Sequence, residues 1–205
     1  MGFFQQLTER PWVPDHGRIV DRHDHQAFFL PTATLGLRMF LAVVTVLFSL
    51  LVVAYADRMG LGDWQPLPEP WLLWLNTAIL LVSSAGLQWA SASARRGEID
   101  GVKAGLLAAG VSAFAFLIGQ ILAWQELAEL RYFAAANPAN AFFYLITAVH
   151  GLHLLGGLVA WARTSDKVWR GVELDRVRLS VELCAVYWHF LLLVWLILFA
   201  LLLFT

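Results

Sequence analysis

The fold class this sequence predicts is all-α: a polytopic membrane protein of five transmembrane helices. Three observations predict it. Of its 205 residues, 60% are hydrophobic and only 14% charged, more apolar surface than a water-soluble domain of this length can hide. The apolar residues gather in five blocks, each holding the roughly 20 residues a bilayer crossing needs. Between the blocks lie short stretches of proline, glycine and charge, the chemistry of turns.

The first block covers 34–56 and ends at "DRMGLGDWQPLPEP" (57–70), where prolines and glycines forbid a continuing helix. A second block, 70–93, stops at the charged "SARRGEIDGVK" (93–103), and a third runs over 102–124. "QELAELRYFAAANPAN" (125–140) follows, with Asn-Pro as its turn signal, and leads into the fourth block, 140–162. The basic stretch "ARTSDKVWRGVELDRVR" (162–178) precedes the last, 178–204. No linker is long enough to divide the membrane region and no internal repeat is visible. The expected organisation is therefore an N-terminal segment, 1–33, and one five-helix membrane domain, 34–205. Glu9, Arg10, Asp15, Arg18, Asp21, Arg22 and Asp24 in that segment are unlike a secretory leader.

Orientation follows from the basic residues, which concentrate on the cytoplasmic side of membrane proteins. All 14 Lys and Arg residues except Arg58 and Arg131 fall in the N-terminal segment, at Arg38, or in the 93–103 and 162–178 stretches. These belong to one side, so the N-terminus is expected in the cytoplasm and the C-terminus outside. Trp64, Trp71, Trp124, Trp161 and Trp169 fall where interfacial anchors belong. A net charge of −1 argues against nucleic acid as a partner. The single cysteine, Cys184, rules out a disulfide framework and a thiolate metal site. No nucleophile–base pair or phosphate loop is present, so nothing here makes the chain catalytic by itself.

Ionisable groups inside a bilayer are costly and usually face protein. Here they are His150, His153, Glu182 and His189, with Arg38 at an edge; Thr45, Asn76, Thr77, Ser83, Ser84, Gln88, Gln120 and Thr147 are milder. His150 and His153 lie about 300° apart around a helix and share a face. Either, opposite His189, has the makings of a bis-histidine b-type haem site. A divalent metal would need more ligands than these with Glu182 provide. The simpler reading is that each imidazole bridges helices by hydrogen bonds, with Gly151, Gly156 and Gly157 allowing close approach. Glu182 follows Arg178 by one turn, which suits a helix-end ion pair; a lipid-headgroup contact or a proton-relay role is the alternative. Gln120 and Gln88 read as inter-helix glue, and Arg38 as a side chain reaching back to the interface.

"FFYLITAVHGLHLLGG" (142–157) together with "SVELCAVYWHFLLLVWLILF" (180–199) resembles subunit III of the haem–copper terminal oxidases. That family carries Thr-x-x-His-Gly-x-His in its penultimate helix, here Thr147 to His153. Its last helix carries a Glu, then Tyr-Trp-His-Phe, then Val-Trp, here Glu182, Tyr187-Trp188-His189-Phe190 and Val194-Trp195. The segments at 76–98 and 118–127 resemble its preceding helices, and the likeness covers nearly all of 34–204. The resemblance implies the short bacterial form, five helices of the longer members' seven, in a bacterial inner membrane. It implies that this chain binds no haem, copper or other metal, so the histidines are structural. Haem and copper then belong to partner subunits. The chain would be a non-catalytic subunit packed on catalytic subunit I, with subunit II in the complex. There it would hold phospholipid and support proton uptake, stability and assembly while the enzyme reduces dioxygen to water.

Two positions depart from the family pattern. Thr45 stands where the family usually has a buried glutamate, and Leu192 where an aspartate often follows Tyr-Trp-His-Phe. Roles of those carboxylates do not carry over. The departures also leave a second reading, an accessory subunit of a nitric oxide reductase.

Overall fold

A computed structural model describes residues 32–61, 64, 71–130, 132–133 and 137–204. The described chain is five α-helices in sequence: α1 Thr32–Met59, α2 Trp71–Arg96, α3 Ile99–Glu129, α4 Pro138–Trp169 and α5 Leu174–Leu203. All five are long and apolar enough to cross a membrane. The chain is a multi-pass membrane protein. Residues 1–31, which carry most of the expected N-terminal segment, and Arg131 lie outside the described residues.

Every helix outruns its apolar block. α3 has 31 residues and α4 has 32, about 47 Å at 1.5 Å per residue, against a hydrocarbon core of roughly 30 Å. The extra turns are built from sequence that reads as loop: "QELAE" closes α3 and "RTSDKVW" closes α4. Hydropathy marks only the part of a helix immersed in lipid. A helix continues into the headgroup layer as long as its side chains can be solvated there.

The helix ends follow local chemistry. Asn137 caps α4 by accepting a hydrogen bond from the Ala139 N–H, and Pro138 occupies the first turn, where a missing N–H costs nothing. Between α2 and α3 only Gly97 and Glu98 are non-helical, and Gly97 takes φ +77°, the left-handed conformation that terminates a helix. So short a connection makes α2 and α3 an antiparallel pair.

Four helices close on one another: α2 packs on α3 and α5, and α4 packs on α3 and α5. Their shared core includes Leu80, Leu87, Leu106, Phe116, Phe143, Leu154, Trp188 and Trp195, all fully buried. The tightest approach is between α2 and α3. A Cβ on Gly86 would stand 3.0 Å from the Ala109 backbone N and 3.1 Å from the Gly105 carbonyl. One on Gly105 would stand 2.6 Å from the Gly86 carbonyl. This differs from the expectation that Gly151, Gly156 and Gly157 bring helices together. Gly157 does meet Tyr187 and Trp188, but Gly151 has only Leu117 at 4.0 Å and Gly156 has nothing within 4 Å.

α1 is joined differently. Its buried residues are Val44, Phe48 and Tyr55, and they form a separate cluster with Ile146 of α4 and Val194 and Leu198 of α5. Two apolar clefts flank this contact, of ≈ 420 Å³ beside Leu37 and Phe40 and ≈ 390 Å³ beside Thr45 and Val52.

Candidate functional site

The polar residues of the spans do not gather into one cluster. They sort into a ladder through the bundle, a patch on the α2–α5 face and an ionic group at one end of α5.

Tryptophan N–H groups build most of the ladder. Trp124 of α3 donates to the Thr147 hydroxyl on α4 at 3.0 Å, and Thr147 donates back to the Phe143 carbonyl at 2.7 Å. In the other direction, Trp161 of α4 donates to the Leu106 carbonyl of α3 at 2.9 Å. On the opposite side of the bundle, Trp188 of α5 donates to Ser83 of α2 at 2.8 Å, and Ser83 passes its own proton to the Ala109 carbonyl of α3 at 2.8 Å. Trp195 donates to Thr77 at 3.0 Å. An indole is mostly apolar and has one donor, so it can fill a lipid-facing core provided that donor finds a partner. Thr77 and Ser83 stand out in the sequence as polar residues of a span, but their indole partners do not. The available signal is the seven-residue spacing of Trp188 and Trp195, which puts both indoles on one face of α5.

His150 is fully buried, and its Nε2–H donates to the Leu191 carbonyl of α5 at 3.2 Å. Its ring lies 5.0 Å from that of Trp195 and 5.7 Å from that of Phe116. His153, one turn on, is half-buried and donates from Nδ1 to the Val149 carbonyl of its own helix at 2.8 Å. It reaches its neighbours otherwise: its carbonyl accepts from the Tyr187 hydroxyl at 2.9 Å, and its ring stands 5.3 Å from Phe48 of α1. His189 turns away from α4 altogether. Its Nδ1 pairs with Ser84 at 2.8 Å and its Nε2 with Gln88 at 3.0 Å, both on α2. His189 therefore does not face His150 or His153 across a gap, and aromatic rings occupy the surroundings of His150. This arrangement does not suit a bis-histidine haem. Among the described residues, no group of three or more His, Cys, Asp or Glu is placed to hold a metal ion.

Gln120 is buried with neither side-chain atom hydrogen-bonded to a described residue. Glu182 binds two arginines, Arg95 of α2 at 3.0 Å and Arg178 one turn back at 3.3 Å. Helical spacing predicts the Arg178 pair alone; Arg95 ties Glu182 to a second helix. Arg38 is exposed near the start of α1. Thr45 returns its hydroxyl to the Leu41 carbonyl at 2.8 Å, and Leu192 packs against the main core.

With that geometry in place, comparison with known proteins is specific. Residues 20–205 match the family model for cytochrome c oxidase subunit III. Cytochrome c oxidase subunit 3 of Thermostichus vulcanus is 28% identical over 88% of this chain and 89% of its own length. The corresponding protein of Synechocystis sp. is 29% identical over 81% of this chain and 72% of its own. The probable cytochrome c oxidase subunit 3 of Nocardia farcinica is 28% identical over 75% of this chain and 76% of its own. The nitric oxide reductase alternative gains nothing from these matches. The chain belongs to the cytochrome c oxidase subunit III family and is an accessory subunit of a haem–copper oxidase.

Proposed function

We propose that this chain docks on the catalytic haem–copper subunit I, beside subunit II, through the face formed by α2 and α5. The observation that carries the reading is His189 with Gln88. Both are exposed on the isolated chain, yet His189 lies midway along α5. A hydrogen-bonded polar pair facing hydrocarbon is costly, and such groups normally face protein. The same face continues past Ser91 to Arg95 and Glu182 along a groove of ≈ 240 Å³.

In this reading the clefts beside α1 hold phospholipid. The larger cleft is lined by Phe40, Ala160, Leu183 and Tyr187 with Arg163 among them, which suits an acyl chain with its phosphate near a guanidinium. Arg38, Arg95, Arg178 and Glu182 form a cytoplasmic rim that supports proton uptake by the complex. The bacterial inner membrane, with N-terminus inside, is the setting that the basic residues favour. Thr147, His150, His153, His189 and Gln120 serve helix association, and no catalytic role falls to this chain.

The test is His189→Leu combined with Gln88→Leu. The pair is expected to weaken retention of the subunit in the purified oxidase while leaving its helical content unchanged. Undiminished retention under detergent washing contradicts the docking face. Native mass spectrometry of the complex checks the lipid reading, which predicts phospholipid that leaves together with this subunit.

A further inference from the structure

The buried polar atoms without a hydrogen-bond partner among the described residues include Nδ2 and Oδ1 of Asn76, Nε2 and Oε1 of Gln120, and Nδ1 of His150. They belong to three helices, and contacts made by their neighbours connect them. Asn76 of α2 presses on the α3 backbone at Gly119, where a Cβ would collide with its amide oxygen, and Gln120 is the next residue. One turn before Gln120, Phe116 packs edge-on against both His150 and Trp195, at 5.7 and 4.9 Å between ring centres. Trp195 in turn is held by Thr77, the neighbour of Asn76. Asn76 and His150 are thus joined through contacts of α3, and Gln120 lies beside the first and one turn from the second of those contacts.

We infer that these groups bind ordered water, one or more molecules bridging Asn76, Gln120 and His150. Carboxamides and an imidazole nitrogen buried without partners are costly in a lipid-embedded core, and bulk solvent cannot reach them there. The chemistry of the set selects the ligand. Because the Leu191 carbonyl can only accept, Nε2 of His150 carries the proton and Nδ1 of the neutral ring is an acceptor. The two amides contribute donors as well as acceptors. A cation would take the amide oxygens and Nδ1 but leave both amide N–H groups unpaired, and an apolar guest would leave every group unsatisfied. Water alone both donates and accepts, and buried water typically makes about three hydrogen bonds to such orphaned groups. The set then becomes a polar joint among α2, α3 and α4, where direct side-chain bonds are missing.

Radiolytic footprinting of the intact oxidase complex tests this, because hydroxyl radicals formed from bound water label residues that bulk solvent does not touch. Phe116, His150 and Trp195 are expected to be oxidised several-fold faster than Trp188, which is equally buried and likewise hydrogen-bonded but lies two turns away along α5. Equal, background labelling of all four overturns the inference. A map of the same complex sharp enough to show waters is an independent readout. Density bonded to at least two of Asn76, Gln120 and His150 supports the bridging water. The two amides bonded directly to each other, with Nδ1 of His150 against apolar atoms, overturns it.

Discussion

α2 and α1 are both membrane-crossing helices, yet one is sunk in the bundle and the other stands at its edge. In the most apolar window of α2, 44% of residues are buried, against 17% in α1. α1 is nonetheless the more hydrophobic of the two. The inversion has a physical cause: lipid solvates Leu and Val as well as a protein core does, so apolar side chains gain little by leaving lipid. Small residues that let backbones approach, and polar groups that need partners, decide which helix goes inside. α2 supplies Asn76, Thr77, Ser83, Ser84, Gly86 and Ser91, while α1 presents Val43, Val46, Leu50 and Val53 outward.

The close α2–α3 seam is where a substitution costs most. Gly105→Leu would drive a side chain into the Gly86 carbonyl and the Ala90 backbone. It is expected to cost ~3 kcal/mol and to remove the subunit from the purified complex, read by its band relative to the haem content. Next in size is the ladder. Trp195→Phe and His150→Leu each remove one inter-helix hydrogen bond inside the core. About 1 kcal/mol each is expected, seen as earlier loss of the subunit on heating in detergent.

Smaller effects sharpen the contrast. Glu182→Gln weakens ion pairs whose arginines are 59% and 47% exposed. A cost of about 0.5 kcal/mol is expected, fading as salt is raised in the same thermal assay. His153→Leu spares the backbone carbonyl that holds Tyr187 of α5 and removes the ring contact with Phe48 of α1. It is expected to loosen α1 with little change in the four-helix core, as judged by proteolysis between α1 and α2. Gly156→Ala should be neutral in all these assays, since nothing lies within 4 Å of the added methyl.

The five spans are legible in the sequence because each apolar block is long and bounded by proline, glycine or charge. Their ends are not, because the terminal turns of α3 and α4 carry charged residues that resemble loop. The family is legible too, from the residues of 147–153 and 182–195 rather than from hydropathy. The partners of the histidines are not. His150 and His189 lie on consecutive helices, which suggests that they meet, but helix rotation sends His189 to α2. The α2–α3 seam has a sequence signal of its own: Gly101, Gly105 and Ala109 recur every four residues, the small-residue spacing of close membrane helix pairs.

The most direct test of the central claim is the reduced-minus-oxidised spectrum of the tagged chain. It is isolated first in mild detergent and again after a harsher wash that frees it. Haem absorbance and oxygen consumption in the first sample, with a colourless freed chain, are the predicted result. Haem retained by the freed chain would make His150, His153 or His189 a ligand, contradicting the hydrogen bonds assigned to them and the accessory role.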